Sequence, residues 1–126
     1  MDNKTKIAVF VSGGGTNLQA LIDAEKSGII KSGRIEIVIS DKADAYALER
    51  AKNNGIKTAV VIKEKGRQKE FEDELSKILK DNGIQMIILA GFMCILSADF
   101  TSQWPERIIN IHPSLIPSFC GKGCYG

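Results

Sequence analysis

The sequence predicts an α/β protein, a doubly wound parallel sheet with helices on both faces and strand order 3-2-1-4-5. Three observations carry that prediction. Short apolar runs such as Ile7-Ala8-Val9-Phe10-Val11 and Met86-Ile87-Ile88-Leu89-Ala90 lack alternation, as strands buried on both faces do. Segments with apolar residues at helical spacing stand between such runs, and that alternation builds a parallel sheet. Right-handed crossovers then bring the ends of strands 1, 4 and 5 to one edge.

The first strand, 7–11, runs into Ser12-Gly13-Gly14-Gly15-Thr16-Asn17. Leu18, Ala20, Leu21, Ile22 and Ala24 follow at helical spacing. Glycines let a backbone approach an anion closely, and the free amides of a helix start can then bind it. The stretch suits a phosphate cradle; the alternative is a tight turn that holds nothing. No Gly-Lys-Ser/Thr closes it, as a Walker loop requires, and Leu18 stands where a dinucleotide fingerprint has its third glycine. The pattern favours a mononucleotide-type phosphate. Asp41, after the second strand, does stand where an acid can hold a ribose.

Ser27-Gly28 ends the first helix, and 34–40 form the second strand. Residues 41–53, with Ala43, Ala45, Ala47, Leu48 and Ala51, read as a helix closed by Asn54-Gly55. A shorter third strand covers 57–62, and 63–67 are a charged, solvated loop. Residues 68–82 form an amphipathic helix with Phe71, Leu75, Ile78 and Leu79 inward, ended by Gly83. After the fourth strand, 86–90, comes Gly91-Phe92-Met93-Cys94-Ile95-Leu96. It is either one wall of a pocket for a flat apolar ligand or ordinary core closure. A short helix starts near Ser97, and Trp104-Pro105 lead to the fifth strand, 107–111.

That strand ends in Asn110-Ile111-His112-Pro113. By period-two alternation Asn110 and His112 share one face, and Ile109 and Ile111 the other. Pro113 has no amide proton and stops the ladder. A carboxamide and an imidazole thus stand side by side where open parallel sheets bind ligands. The alternative is a core histidine capping a turn.

Composition narrows the classes. The chain has 126 residues, 44% hydrophobic and 25% charged, which fits one soluble globular domain over 1–126. A formal net charge of +2 is too small to point to nucleic acid or a membrane as the main partner. No apolar run approaches the ~20 residues of a membrane span. Cys94, Cys120 and Cys124 are an odd number with no signal peptide before them, so a reducing cytoplasm is expected. Cys120 and Cys124 with His112 do not make a usual zinc spacing, and no metal is expected.

With these residues in place, the chain resembles the phosphoribosylglycinamide formyltransferases of purine biosynthesis. The matching stretches are 11–23, from Val11-Ser12-Gly13-Gly14-Gly15 onward, Ser40-Asp41-Lys42-Ala43-Asp44-Ala45, 89–96, and Asn110-Ile111-His112-Pro113-Ser114-Leu115-Ile116-Pro117. The last is shared across folate-dependent formyltransferases and a formyl-folate hydrolase; the glycine loop with the first helix and the segment from Asp41 to Ala45 narrow it. The resemblance implies a three-layer, Rossmann-like formyltransferase fold. It implies transfer of a formyl group from 10-formyltetrahydrofolate, the co-substrate, to the amine of glycinamide ribonucleotide. Gly14, Gly15, Thr16 and Asn17 would hold the ribonucleotide phosphate. Met93, Cys94, Ile95 and Leu96 would line the folate pocket, with Asn110 and either Arg67 or Gln68 touching it. Asn110 and His112 would act on the formyl group. Cys94 departs from the family, where many members carry a larger basic residue.

The resemblance also implies a longer chain. Family members continue well past residue 126 with a catalytic aspartate, further strands and the rest of the folate site. The 126 residues are therefore expected to be the N-terminal, mononucleotide-binding part, inactive by themselves, with strand 5 an open edge suited to self-association. A cis bond between Ile116 and Pro117 is expected from the same resemblance. The rival readings are hydrolysis of formyl-folate, with water replacing the amine, and a nucleotide-binding module without turnover.

Overall fold

The computed structural model describes residues 5–26 and 33–111. Its elements in order are β1 (Thr5–Val11), α1 (Thr16–Lys26), β2 (Gly33–Ser40), α2 (Tyr46–Asn53), β3 (Lys57–Val60), α3 (Gln68–Asp81), β4 (Met86–Ala90), α4 (Ala98–Thr101) and β5 (Ile108–Ile111). The strands form one sheet in the order β3-β2-β1-β4-β5, parallel at every pairing. This is the expected order.

The central strand shows why. In β1, Ile7, Val9 and Val11 enter one core with Leu18 and Ile22 of α1 and Leu48 and Ala51 of α2. Ala8 and Phe10 enter the other, with Phe71, Leu75 and Leu79 of α3 and Phe100 of α4. Alternate side chains thus bury against opposite helical layers, so every position in the run must be apolar. Phe10, Leu18 and Leu75 are fully buried, and each such side chain contributes about 1.5–3 kcal/mol. Glycine ends α2 and α3 in the way the sequence suggests: Gly55 and Gly83 have φ of 74° and 65°.

One element differs from expectation. The helix read over 41–53 begins only at Tyr46. The Ser40 hydroxyl accepts from the Lys42 amide at 2.9 Å and donates to the Lys42 carbonyl at 2.8 Å. The Ala45 amide then donates to that carbonyl at 3.3 Å. This local side-chain turn competes with helix, so the alanine pattern is realised only from Ala47 onward. β3 also stops at Val60, though the Val61 amide still donates to the Ser40 carbonyl at 2.9 Å. His112, the 113–117 segment with its Ile116–Pro117 bond, Cys120, Cys124 and the Ser27-Gly28 stop lie outside the described residues.

Candidate active site at the carboxyl edge of the sheet

The glycine loop joins β1 to α1 and is backed by α2. The Ala47 amide donates to the Gly13 carbonyl at 3.0 Å, and Arg50 Nε donates to the Gly14 carbonyl at 2.8 Å. Gly15 has φ of +82°, and a Cβ there would lie 2.6 Å from Ala47 Cβ and 2.7 Å from Ala47 Cα. Gly15 is thus required both for its backbone conformation and for the contact between loop and helix. A Cβ on Gly13 or Gly14 would meet nothing within 4 Å. The Gln19 amide closes the first turn of α1 on the Gly15 carbonyl at 2.8 Å. The amides of Thr16, Asn17 and Leu18, ahead of it, have no acceptor within the helix. Asn17 itself is buried.

The apolar loop 91–96 stands beside it. Gly91, with φ of +74°, turns the chain off β4. The loop then alternates. Phe92, Cys94 and Leu96 pack onto the α3 side of the core, with Phe92 edge-on to Phe10 at 5.2 Å and stacked on Phe71 at 6.5 Å. Met93 and Ile95 point outward and are 76% and 78% exposed. Of the four residues expected to line an apolar pocket, two therefore face outward and two hold the loop from behind.

Three polar anchors fix this loop. The Met93 amide donates to Ser12 Oγ at 2.8 Å, tying it to the glycine loop. Cys94 Sγ donates to Asp41 Oδ2 at 3.0 Å, tying it to the end of β2. At the far end, the Ser97 amide and hydroxyl both donate to Glu72 of α3 at 2.6 Å. Gln68 donates to Glu72 at 2.6 Å and to the Ile95 carbonyl at 2.9 Å. Gln68, not Arg67, is the residue against the loop; Arg67 is exposed and pairs with Glu70 at 3.6 Å.

The electrostatics follow from these contacts. Burial pushes the Asp41 carboxyl up, but the Cys94 thiol, the nearby Ser12 hydroxyl and Lys42 outweigh it, and the group sits below its ordinary range. Asp41 Oδ1 has no hydrogen-bond partner among the described residues. Burial likewise raises Glu72, while the Ser97 hydroxyl and amide and Gln68 bring it below the ordinary range. Burial and the Asp41 carboxylate push the Cys94 thiol up to about 11, so it is a protonated donor at neutral pH.

Asn110 completes the edge. It pairs in register with Leu89, one residue short of the end of β4, and its side chain is exposed. Ile109 and Ile111 pack on the α1/α2 side, so alternation puts Asn110 on the α3 side with Ile108. The ends of β1, β4 and β5 thus carry a glycine loop, an exposed apolar strip and a carboxamide. Ser12, Arg50 and Glu72 were not singled out by sequence reasoning. For Glu72 the signal was present: it lies three residues before Leu75 and seven before Leu79, on the inward stripe, where a charge must find partners. Among the described residues, no cluster of His, Cys, Asp or Glu is placed to hold a metal ion.

Fold and edge together define a Rossmann-like α/β protein. The chain belongs to the formyl transferase family, whose model matches residues 5–125. Similar proteins include phosphoribosylglycinamide formyltransferase of Haemophilus influenzae, 46% identical over 95% of this chain and 57% of that protein. The Escherichia coli enzyme of the same name is 45% identical over 91% of this chain and 54% of its own length. A solved phosphoribosylglycinamide formyltransferase from Coxiella burnetii superposes with a TM-score of 0.81 at 42% identity, over 94% of this chain and 56% of that one. The chain spans about half the length of these relatives.

Proposed function

We propose that this chain is the ribonucleotide-binding part of an enzyme that moves a formyl group from 10-formyltetrahydrofolate to the primary amine of glycinamide ribonucleotide. The observation that carries this reading is the convergence at one edge of the glycine loop, the Met93 and Ile95 strip and Asn110, in a chain of the formyl transferase family. Gly14, Gly15, Thr16 and Asn17 hold the phosphate through backbone amides. Met93 and Ile95 give the flat folate ring an apolar surface, which Cys94 and Leu96 support from beneath, and Gln68 rather than Arg67 braces it.

The amine attacks the formyl carbon and a C–N bond forms. Negative charge collects on the formyl oxygen, where the Asn110 carboxamide donates a hydrogen bond together with protonated His112. Collapse breaks the bond to folate N10, which takes up a proton as the attacking amine loses one, and His112 relays it. The imidazole, ordinarily near pKa ~6.5, needs an acidic partner to stay protonated at neutral pH. The reading places the reaction in the cytoplasm. β5 is one of the two sheet edges among the described residues, with β3 the other, and self-association would use the β5 edge.

A folate-absorbance assay on the native gene product tests this. Formyl loss is expected only when glycinamide ribonucleotide is present; loss with water alone would replace transfer by hydrolysis. His112→Ala and Asn110→Ala are each expected to lower turnover by at least ~100-fold while calorimetry still detects the ribonucleotide. Unchanged turnover in His112→Ala would remove that residue from the reaction.

A further inference from the structure

We infer that Arg50 is the positioning residue of the phosphate loop, the group that turns its amides toward the anion; this rests on the reading of that loop proposed above. In a planar trans peptide, the carbonyl of one residue and the amide of the next point in opposite directions. α2 grips two successive carbonyls of the loop from behind, Gly13 through the Ala47 amide at 3.0 Å and Gly14 through Arg50 Nε at 2.8 Å. The Gly14 and Gly15 amides must then point away from α2. Neither has an acceptor among the described residues. They add to the free amides of Thr16, Asn17 and Leu18 at the start of α1.

The first grip is backbone and survives any side chain at position 47 that fits. The second depends on one side chain. Arg50 is itself held in place from two sides. Its Nη1 donates to Gln19 Oε1 at 3.3 Å, and the guanidinium lies over the Tyr46 ring at 5.0 Å from its centroid. Its Cδ is also one of the atoms that a Cβ on Gly15 would crowd, at 3.2 Å. Without Arg50 the Gly14–Gly15 peptide, free of Cβ atoms on both sides, is able to flip. A flip would present a carbonyl to the anion instead of an amide.

Two substitutions separate orientation from charge. In Arg50→Gln the amide Nε2 stands the same number of bonds from Cα as Arg Nε, so the donor to Gly14 is kept and the charge lost. Arg50→Met fills the space with neither. The probes are inorganic phosphate and glycinamide ribonucleotide, titrated by calorimetry into the native gene product at two salt concentrations, with thermal unfolding of each variant as a control. Arg50→Met is expected to weaken both ligands about tenfold, with the KM for folate little changed, and Arg50→Gln to recover most of that loss. Equal weakening in both variants, relieved by salt, would replace orientation by simple charge attraction and overturn the inference. Lowered thermal stability with unchanged ligand affinity would make Arg50 merely structural, and also overturn it. If phosphate binds in this pattern but the ribonucleotide does not, the positioning role stands and the proposed substrate falls. A wild-type protein that takes neither ligand removes both.

Discussion

The glycine loop after β1 and the apolar loop after β4 lie side by side, joined by the bond from the Met93 amide to Ser12 Oγ, yet they are held by different means. The glycine loop is held by shape. Its bonds to α2 are made through carbonyls, and its closest approach is that of Gly15 to Ala47, where a missing Cβ makes room. The apolar loop is held by charge. Its inward residues pack, but its ends are pinned by two buried carboxylates, Asp41 and Glu72. The difference matches what each loop is proposed to meet. A loop that binds an anion through backbone amides is best braced through its carbonyls, which leaves the amides free. A loop that offers Met93 and Ile95 to an apolar ligand loses nothing by having carboxylates behind it.

The largest break in this comparison is expected at Gly15. Gly15→Ala places a Cβ 2.6 Å from Ala47 Cβ and forces an L-residue to φ of +82°. Left-handed strain and overpacking together are expected to cost about 3 kcal/mol in a urea titration. Gly13→Ala, which meets nothing within 4 Å, is expected to stay within about 1 kcal/mol of wild type. Equal losses in the two would mean that shape does not hold the loop.

A smaller effect is expected at Glu72, and it carries a pH signature. Glu72→Gln keeps one acceptor oxygen for the two Ser97 donors and loses the charge, for a cost of about 1–3 kcal/mol at neutral pH. The folded-state carboxyls of Glu72 and Asp41 both sit below their ordinary ranges. Their stabilisation is therefore fully present above about pH 5 and is lost as pH falls through 4 and below, where the unfolded chain takes up protons first. Unfolding free energy measured from pH 6 to pH 3 should fall less steeply in Glu72→Gln than in wild type. Parallel slopes would show that Glu72 does not hold its charge in the folded state.

How much of this was legible beforehand depends on whether the signal was periodic. β1, β4 and α3 are written in runs and stripes, and their bounds were read to within two residues. The strand order followed from alternation and handedness alone. The start of α2 was not legible, because the Ser40 hydroxyl replaces helical bonds with a local turn and leaves the alanine pattern of 43–51 intact. The glycine loop could be placed from its composition. That Gly15, and not Gly13 or Gly14, makes the close contact depends on where α2 packs, which no local pattern encodes. Cys94 was read as pocket lining. Its thiol is turned onto Asp41, 53 positions away in sequence, and only the pairing of β1 with both β2 and β4 brings the two together.

Cys94 is also where the smallest effect is expected. Its thiol reaches Asp41 Oδ2 at 3.0 Å and is held near pKa 11, so it acts as a neutral donor across the physiological range. Cys94→Ser keeps an O–H donor on a slightly shorter bond and is expected to change stability by less than about 1 kcal/mol. Cys94→Ala removes the donor. The cavity left by one sulfur is small, so about 1 kcal/mol of the loss should come from Asp41, whose Oδ1 already lacks a partner among the described residues. Losing the thiol lets burial raise the Asp41 carboxyl back toward its unfolded value. The contribution Asp41 makes above pH 5 then shrinks, and the acid limb of the stability curve in Cys94→Ala should flatten while that of Cys94→Ser follows wild type. If Ser and Ala behave alike across the pH range, the thiol packs without donating, and the polar anchors of the apolar loop are those at Ser12, Glu72 and Gln68.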